Sequence, residues 1–354
     1  MPDVIKKTME AWMRAEKPGI AQYLLLFVPS LIYGAAVRLR LFLYAAGVLK
    51  KKKLKCRVIS IGNLTTGGSG KTPLAMHIAG ILKKNGKRPV IVSRGYKGSR
   101  RRISAVSDGK TVLMGPEEAG DEPYLMASRL EDVPVVIGAD RFRAGLFAVE
   151  KFSPDCVILD DGFQHIRLER DLNILLVDSY SGFGNGHMLP IGILREPVSE
   201  IRRASLMMIK GSGIKPPDAL RIRGTGLPVI GFEYKASSLY DISEKKALNP
   251  GVLKGKRVFA FAGTANPEAF FKTIKKLGAT LTGALPFPDH HKYSSSDMER
   301  IKAASKESRS AITTEKDAVK LNGIQHRGLR IFALAVDVVV NDEDRLGKLI
   351  LGNL

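Results

Sequence analysis

Cysteine is almost absent, with Cys56 and Cys156 the only two in 354 residues. That leaves no disulfide framework and no cysteine-based metal cluster, and it fits a reducing cytosol. Aromatic residues are sparse as well, at 7% with one tryptophan, and many of them fall inside apolar runs. A nucleic-acid ATPase would interleave a basic stripe with exposed aromatics. No segment does so, and no nucleic-acid partner is expected. Acidic residues are the third shortage: 35 Asp+Glu stand against 56 Lys+Arg, a formal charge of +21. Such an excess calls for an anionic partner, and an anionic lipid surface is what remains. No internal repeat or low-complexity tract is found. At 44% hydrophobic and 26% charged the chain is an ordinary globular one, long enough for two domains.

The positive charge is concentrated where the chain is most apolar. Residues 1–57 hold twelve Lys/Arg and three acids, a balance of 12 − 3 = +9. Gly19 to Val37 carries no charge, nearly enough to cross a bilayer. Pro29 and Ser30 interrupt that run, and Arg38 and Arg40 precede a second apolar stretch ending at Leu49. A single spanning helix would place either the break or the arginines in hydrocarbon. The expectation is therefore a helix from Ser30 to Leu49 lying in the interface, with Lys50–Lys53 on anionic headgroups. A spanning helix and a buried core helix are the alternatives. No small-residue cleavage site is present, so a cleaved signal peptide is not expected.

The stretch "ISIGNLTTGGSGKTPLAMHIAG" (Ile59–Gly80) orders a short strand, a glycine-rich turn, a Lys-Thr pair and a helix. Gly67, Gly68, Ser69 and Gly70 would let successive N–H groups converge on a phosphate. Lys71 would reach the β/γ-phosphates, and the Thr72 hydroxyl would face Mg²⁺. Thr65 stands where the P-loop pattern has its first glycine. Downstream, near-continuous Val/Ile/Leu runs at Arg88–Tyr96, Val133–Asp140, Asp155–His165 and Leu172–Asp178 suit strands buried on both faces. Their carboxyl ends carry the Gly, Asp and Arg residues, where ligands of a doubly wound sheet collect. A composition change near Lys210–Pro217 precedes a second alternating unit, with a boundary between Ile209 and Gly231.

Several further groups carry chemistry. Asp160-Asp161 ends an apolar strand, where P-loop enzymes hold the acid that organises Mg²⁺, and Gln164 and His165 follow closely. Asp121 and Glu122 sit at a helix start, as metal and acceptor groups or as acids complementing the helix dipole. "FPDHHKY" (Phe287–Tyr293) offers two adjacent histidines, either of which could tune a base. In "TTEKDAV", Thr314 and Asp317 have the spacing of a helix cap. Arg94 and Arg195 suit phosphate recognition or structural ion pairs.

Together "GNLTTGGSGKTP", "SRGY", "GDEP", "DDGFQH", "FGNGHMLPIGILREP", "PDHHKY" and "TEKDAVK" resemble the tetraacyldisaccharide 4'-kinase family of lipid A biosynthesis, from the N-terminal apolar segment to about Lys320. The resemblance implies transfer of the ATP γ-phosphoryl group to the 4'-hydroxyl of tetraacyldisaccharide 1-phosphate, giving lipid IVA. It implies ATP and Mg²⁺ as cofactors, a glycolipid substrate, no required protein partner, and a monotopic position at the cytoplasmic face of the bacterial inner membrane. By position, Lys71 and Thr72 match the P-loop pair, Asp121 the proposed general base, and His290 its histidine partner. Thr72, Glu122, Asp160, Asp161 and Gln164 match the metal side. Arg94, Tyr96, Asn185, Arg195 and His165 match the substrate side. Two departures fall in the substrate loop: Ile193 replaces a usual proline, and no arginine lies near Ser181.

The expected architecture is α/β, a P-loop NTPase-like doubly wound, mostly parallel sheet with a second, smaller α/β domain. Residues 1–54 would form the membrane-surface segment, 55–225 the kinase core and 226–354 the smaller domain. The competing reading, a membrane-associated ATPase switch, leaves "GDEP" and "DHH" idle and predicts ATP hydrolysis without glycolipid.

Overall fold

A computed structural model describes residues 20–352, apart from 68–69, 97, 101, 215, 322–323 and 325–327. In chain order the elements begin with helix α1 (Ile20–Ala45), strand β1 (Arg57–Gly62), α2 (Lys71–Lys84) and β2 (Pro89–Ser93). Next come β3 (Ser104–Ser107), α3 (Pro116–Ala119), α4 (Asp121–Arg129) and β4 (Val135–Ile137). They are followed by α5 (Arg141–Phe152), β5 (Cys156–Asp160), β6 (Leu172–Asp178), β7 (Leu206–Lys210), α6 (Pro216–Arg223) and β8 (Val229–Asp241). The last part holds β9 (Lys246–Leu248), β10 (Arg257–Ala262), α7 (Pro267–Lys276), β11 (Thr280–Pro286), α8 (Ser295–Ala304) and β12 (Ser310–Thr314). The chain closes with α9 (Glu315–Ala318), β13 (Arg330–Val340) and α10 (Glu343–Leu351).

These elements divide into two compact units that are not contiguous in sequence. The first comprises residues 1–94, 138–233 and 340–354, and the second residues 95–137 and 234–339. A single cut at residue 225 does not describe this division, because the second unit also takes the segment from 95 to 137. The C-terminal α10 belongs to the first unit and packs on α2.

In the first unit the strands run parallel in the order β8-β7-β6-β1-β5-β2. The side chains of β1, β2 and β5 are buried nearly throughout, as two-sided coverage by helices requires. Strand β1 joins β5 on one side and β6 on the other, so the β1–α2 turn opens at the carboxyl end of the sheet, where doubly wound folds bind ligands. In the second unit β11-β10-β12-β13 are parallel and β3-β4 antiparallel. Its aromatic core gathers Phe259, Phe261, Phe287 and Tyr293.

Helix α1 departs from expectation. It does not begin at Ser30 or reach Leu49; it runs 26 residues straight through Pro29. Proline costs an internal helix roughly 3 kcal/mol, chiefly through one lost hydrogen bond and a clash with the preceding turn. Tertiary contacts just beyond it hold the helix: Ser30 Oγ donates to Met188 O at 3.0 Å, and Tyr33 Oη donates to Arg195 O at 2.9 Å. The C-terminal stop comes from Gly47 at φ 75°, with Leu49 N–H returning to Leu43 O at 3.0 Å. Nor is α1 a buried core helix. Leu24, Leu25, Val28, Leu31, Ile32, Leu39 and Phe42 are all more than half exposed.

Candidate active site

The cradle is built from the β1–α2 turn. Gly67 and Gly70 take φ of 111° and 82°, values that favour glycine, and Lys71 opens α2 with no acidic residue in its first turn. Gly68 and Ser69 lie outside the described residues. Thr65, the non-glycine position, forms an antiparallel bridge with Leu194, and Thr66 N–H donates to Ile193 O at 2.8 Å. A β-branched residue suits that extended pairing better than glycine. The same contacts account for Ile193, which is buried and contributes its carbonyl, a group that proline also has.

Lys71 Nζ donates to Asn63 Oδ1 at 3.1 Å and lies 3.5 Å from Asp161 Oδ1. Asn63 is fully buried at the end of β1, and its Nδ2 donates to Thr65 Oγ1. Asp161 follows the last residue of β5 with φ 54°, an uncommon backbone for a non-glycine residue. Arg195 Nη1 grips both of its carboxylate oxygens, at 3.1 and 2.9 Å. Burial alone would raise the Asp161 pKa, but Lys71, Arg195 and Arg141 together hold it down at about 2. Asp160, 3% exposed, accepts from Ser93 Oγ at 3.2 Å. Gln164 Nε2 donates to Asn63 O at 2.8 Å.

His165 is driven to a pKa of about 3, by burial first and then by Arg141, so its ring is neutral at physiological pH. Arg141, which the sequence reading missed, is 2% exposed and donates to Gly138 O and Ala139 O. Burial lowers its pKa to about 10, while Asp161 and Asp160 work in the other direction. It is therefore a fixed buried cation beside the paired acids. Arg94 is exposed at the end of β2. Asn185 knits its own loop, donating to Ile191 O and accepting from His187 N–H.

The second unit assembles a different cluster around the head of α4. Gly120, at φ 90°, lets the chain enter this helix; a Cβ there would lie 2.6 Å from Tyr96 O. The helix begins at Asp121, two residues before Pro123. Asp121 Oδ2 faces His290 Nδ1 at 3.1 Å and Lys320 Nζ at 3.7 Å. Burial pushes the Asp121 carboxyl up, but the His290 hydrogen bond and Lys320 outweigh it, and the net shift is downward. His290 holds φ 60°, and Tyr96 approaches its ring edge-on at 5.4 Å.

Lys316 reaches Glu122 Oε1 at 3.0 Å, which gives that carboxylate an ammonium partner within its own unit. The two adjacent histidines separate cleanly. His291 binds Asp297, in the capping box of α8, and stacks on Phe287 at 4.6 Å, so it is a packing residue. Thr314 caps α9 by accepting Asp317 N–H, as its spacing predicts. Asp317, fully buried, also accepts Gly263 N–H at 2.8 Å and pairs with Lys320 at 2.7 Å. No run of charges in the sequence marks Asn63, Arg141, Lys316 or Lys320 as members of these clusters. Lys316 and Lys320 stand four residues apart within "TEKDAVK", one helical turn, and Asn63 lies within "GNLTTGGSGKTP".

The family model "Tetraacyldisaccharide-1-P 4'-kinase" matches residues 22–354. A tetraacyldisaccharide 4'-kinase of Pelobacter propionicus is 43% identical over 324 residues, covering 90% of this chain and 89% of that protein. One from Geobacter sulfurreducens is 41% identical over 330 residues, covering 91% and 92%. Among solved structures, LpxK from Aquifex aeolicus in complex with ATP is similar at a TM-score of 0.77 and 38% identity, over 94% of this chain and 99% of that one.

Proposed function

Because this chain belongs to the tetraacyldisaccharide-1-P 4'-kinase family, we propose that it transfers the γ-phosphoryl group of ATP to the 4'-hydroxyl of tetraacyldisaccharide 1-phosphate. The observation that carries the reading is the Asp121–His290 pair at the head of α4, 3.1 Å apart. An ATPase switch has no use for a carboxylate held ionised against an imidazole; a sugar-hydroxyl kinase needs a proton acceptor of this kind.

Each step falls to identified groups. The turn amides and Lys71 bind the triphosphate, with Lys71 leaving Asn63 and Asp161 for the phosphate oxygens. The fixed guanidiniums of Arg141 and Arg195 keep Asp161 ionised throughout. Asp121 accepts the proton as the O–H bond of the acceptor breaks. That oxygen then bonds to the γ-phosphorus while the bond to ADP breaks. His165, neutral, serves as a hydrogen-bonding group rather than a cation.

The Thr72 hydroxyl and the Asp160 and Asp161 carboxylates, all hard oxygen donors, would hold Mg²⁺, with Asp161 exchanging its contacts to Lys71 and Arg195 for the ion. Gln164 is tied to Asn63 O, one residue past β1. Glu122, already engaged by Lys316, is better read as part of the Asp121 cluster. When bound, Mg²⁺ would neutralise charge on the phosphates.

A glycolipid acceptor stays in its membrane, and α1 supplies the means of reaching it. Its exposed leucines, Val28, Ile32 and Phe42 would enter the cytoplasmic face of the inner membrane, with Lys50–Lys53 on anionic headgroups. A cavity of about 760 Å³ beside α1, lined by Arg38, Arg202 and Arg221 with Met188, Leu194 and Ile201, suits an anionic lipid. Replacing Leu24, Leu25, Leu31 and Ile32 together by serine should abolish flotation with phosphatidylglycerol vesicles. Flotation equal to that of the unaltered protein would remove α1 from this role.

Mass spectrometry of the glycolipid after incubation with ATP and Mg²⁺ tests the reaction itself. The expected product is one phosphate heavier, with the new ester on the distal sugar. ADP accumulating beside unchanged glycolipid would favour the ATPase switch.

A further inference from the structure

Lys316 has no part in the steps above, yet three groups surround its ammonium. Nζ lies 3.0 Å from Glu122 Oε1, 3.3 Å from Asp289 Oδ1 and 3.2 Å from His290 Nε2. An ammonium carries three N–H donors and no acceptor lone pair, so all three neighbours must accept. Two are carboxylate oxygens. The third, Nε2, accepts only as the unprotonated nitrogen of a neutral imidazole. The ring proton is then on Nδ1, which donates to Asp121 Oδ2 at 3.1 Å.

We propose that Lys316 is a positioning residue that holds His290 in its Nδ1–H tautomer and so keeps a hydrogen-bond donor aimed at Asp121. The inference rests on the reading of Asp121 as the proton acceptor.

The surroundings explain why such a residue is needed. The charged groups facing the ring are Asp121, Glu122, Asp289 and Lys316, with Lys320 beyond Asp121 and the Tyr96 ring at the edge. Glu122 Oε1 and Asp289 Oδ2 lie 3.9 and 3.8 Å from Nε2. Both would welcome an N–H there if Lys316 were gone. An Nε2–H tautomer would turn a lone pair toward Asp121, setting like against like at the base. Although burial works against the Lys316 ammonium, Glu122 and Asp289 raise its pKa above the ordinary value, so the donor persists at neutral pH. Lys316 sits in the short α9, which packs on α4 and thus carries the lock to the element that bears Asp121.

The test is a long-range ¹H–¹⁵N spectrum of the full chain labelled with ¹⁵N-histidine in detergent micelles, with His290 assigned through His290→Gln. The wild-type ring should show Nδ1 protonated and Nε2 bare. Lys316→Met should convert it to the Nε2–H form or to imidazolium and lower kcat roughly 10- to 100-fold with KM for ATP unchanged. Lys316→Arg, also a donor without acceptors, should keep the wild-type tautomer and most of the rate. A wild-type ring found as Nε2–H or imidazolium would overturn the proposal without recourse to any variant of Lys316. So would a Lys316→Met protein that keeps the wild-type pattern. A tautomer that moves while kcat does not would remove the positioning role, and Asp121→Asn then decides separately whether Asp121 is the base.

Discussion

Asp121→Asn is expected to lower kcat by about 10³-fold, within the range of roughly 10²–10⁴ for a lost general base, with KM for ATP little changed. The substitution keeps the shape of the side chain, and its amide oxygen can still accept the proton of His290 Nδ1. What it removes is the basic oxygen that takes the acceptor's proton. Because the contacts to His290 and Lys320 both fall on Oδ2, the variant should fold, and its melting temperature serves as the control. A rate within threefold of wild type would exclude Asp121 as the base. His290→Ala should cost less, since it removes the partner that orients Asp121 and leaves the carboxylate itself in place. The downward shift of the Asp121 carboxyl adds a sign. The carboxylate is the base, so the loss of activity that Asp121 itself sets should lie below the ordinary carboxylate range.

Lys71→Ala should be of similar size, with a different kinetic pattern. One preorganised donor to a transferring phosphoryl group is worth roughly 10²–10³ in rate, about 3–4 kcal/mol. Lys71 also contacts the nucleotide in the ground state, so KM for ATP should rise while kcat falls. In the resting site Lys71 is held by Asn63 and Asp161 at 3.1 and 3.5 Å. Its loss leaves Asp161 with Arg195 and Arg141, enough to keep that carboxyl ionised and the cradle folded. A variant with wild-type kcat and only a raised KM would show that Lys71 binds ATP without stabilising the transition state.

Lys71 stands for the part of the cradle that was legible in the sequence. A strand–turn–Lys-Thr–helix order and a strand ending in Asp160-Asp161 are local patterns, and local patterns survive folding. His290 could not be told from His291 by residue type. The structure separates them because the left-handed backbone at His290 points one ring at Asp121, while Asp297 and Phe287 claim the other. Arg141, Lys316 and Lys320 were not legible because folding, not neighbouring sequence, brings them to Asp161, Glu122 and Asp121. Lys316 and Glu122, for example, are 194 residues apart.

The fold shows the same division. That β1, β2, β5 and β6 are buried parallel strands followed from their apolar runs, whereas their order in the sheet did not. The return of α10 to the first unit and the placement of residues 95–137 with the second left no compositional trace. For α1 the break at Pro29 was overridden by contacts of Ser30 and Tyr33, an instance of tertiary structure defeating local propensity.

One measurement reaches the centre of this account. The protein in detergent micelles is given γ-labelled ATP, Mg²⁺ and tetraacyldisaccharide 1-phosphate, with Lys71→Ala and Asp121→Asn run alongside. Label should pass to the lipid with the wild-type protein and fall by two orders of magnitude or more with either variant. Label released only as free phosphate, at the same rate with and without the glycolipid, would contradict the assignment of this site as a glycolipid kinase.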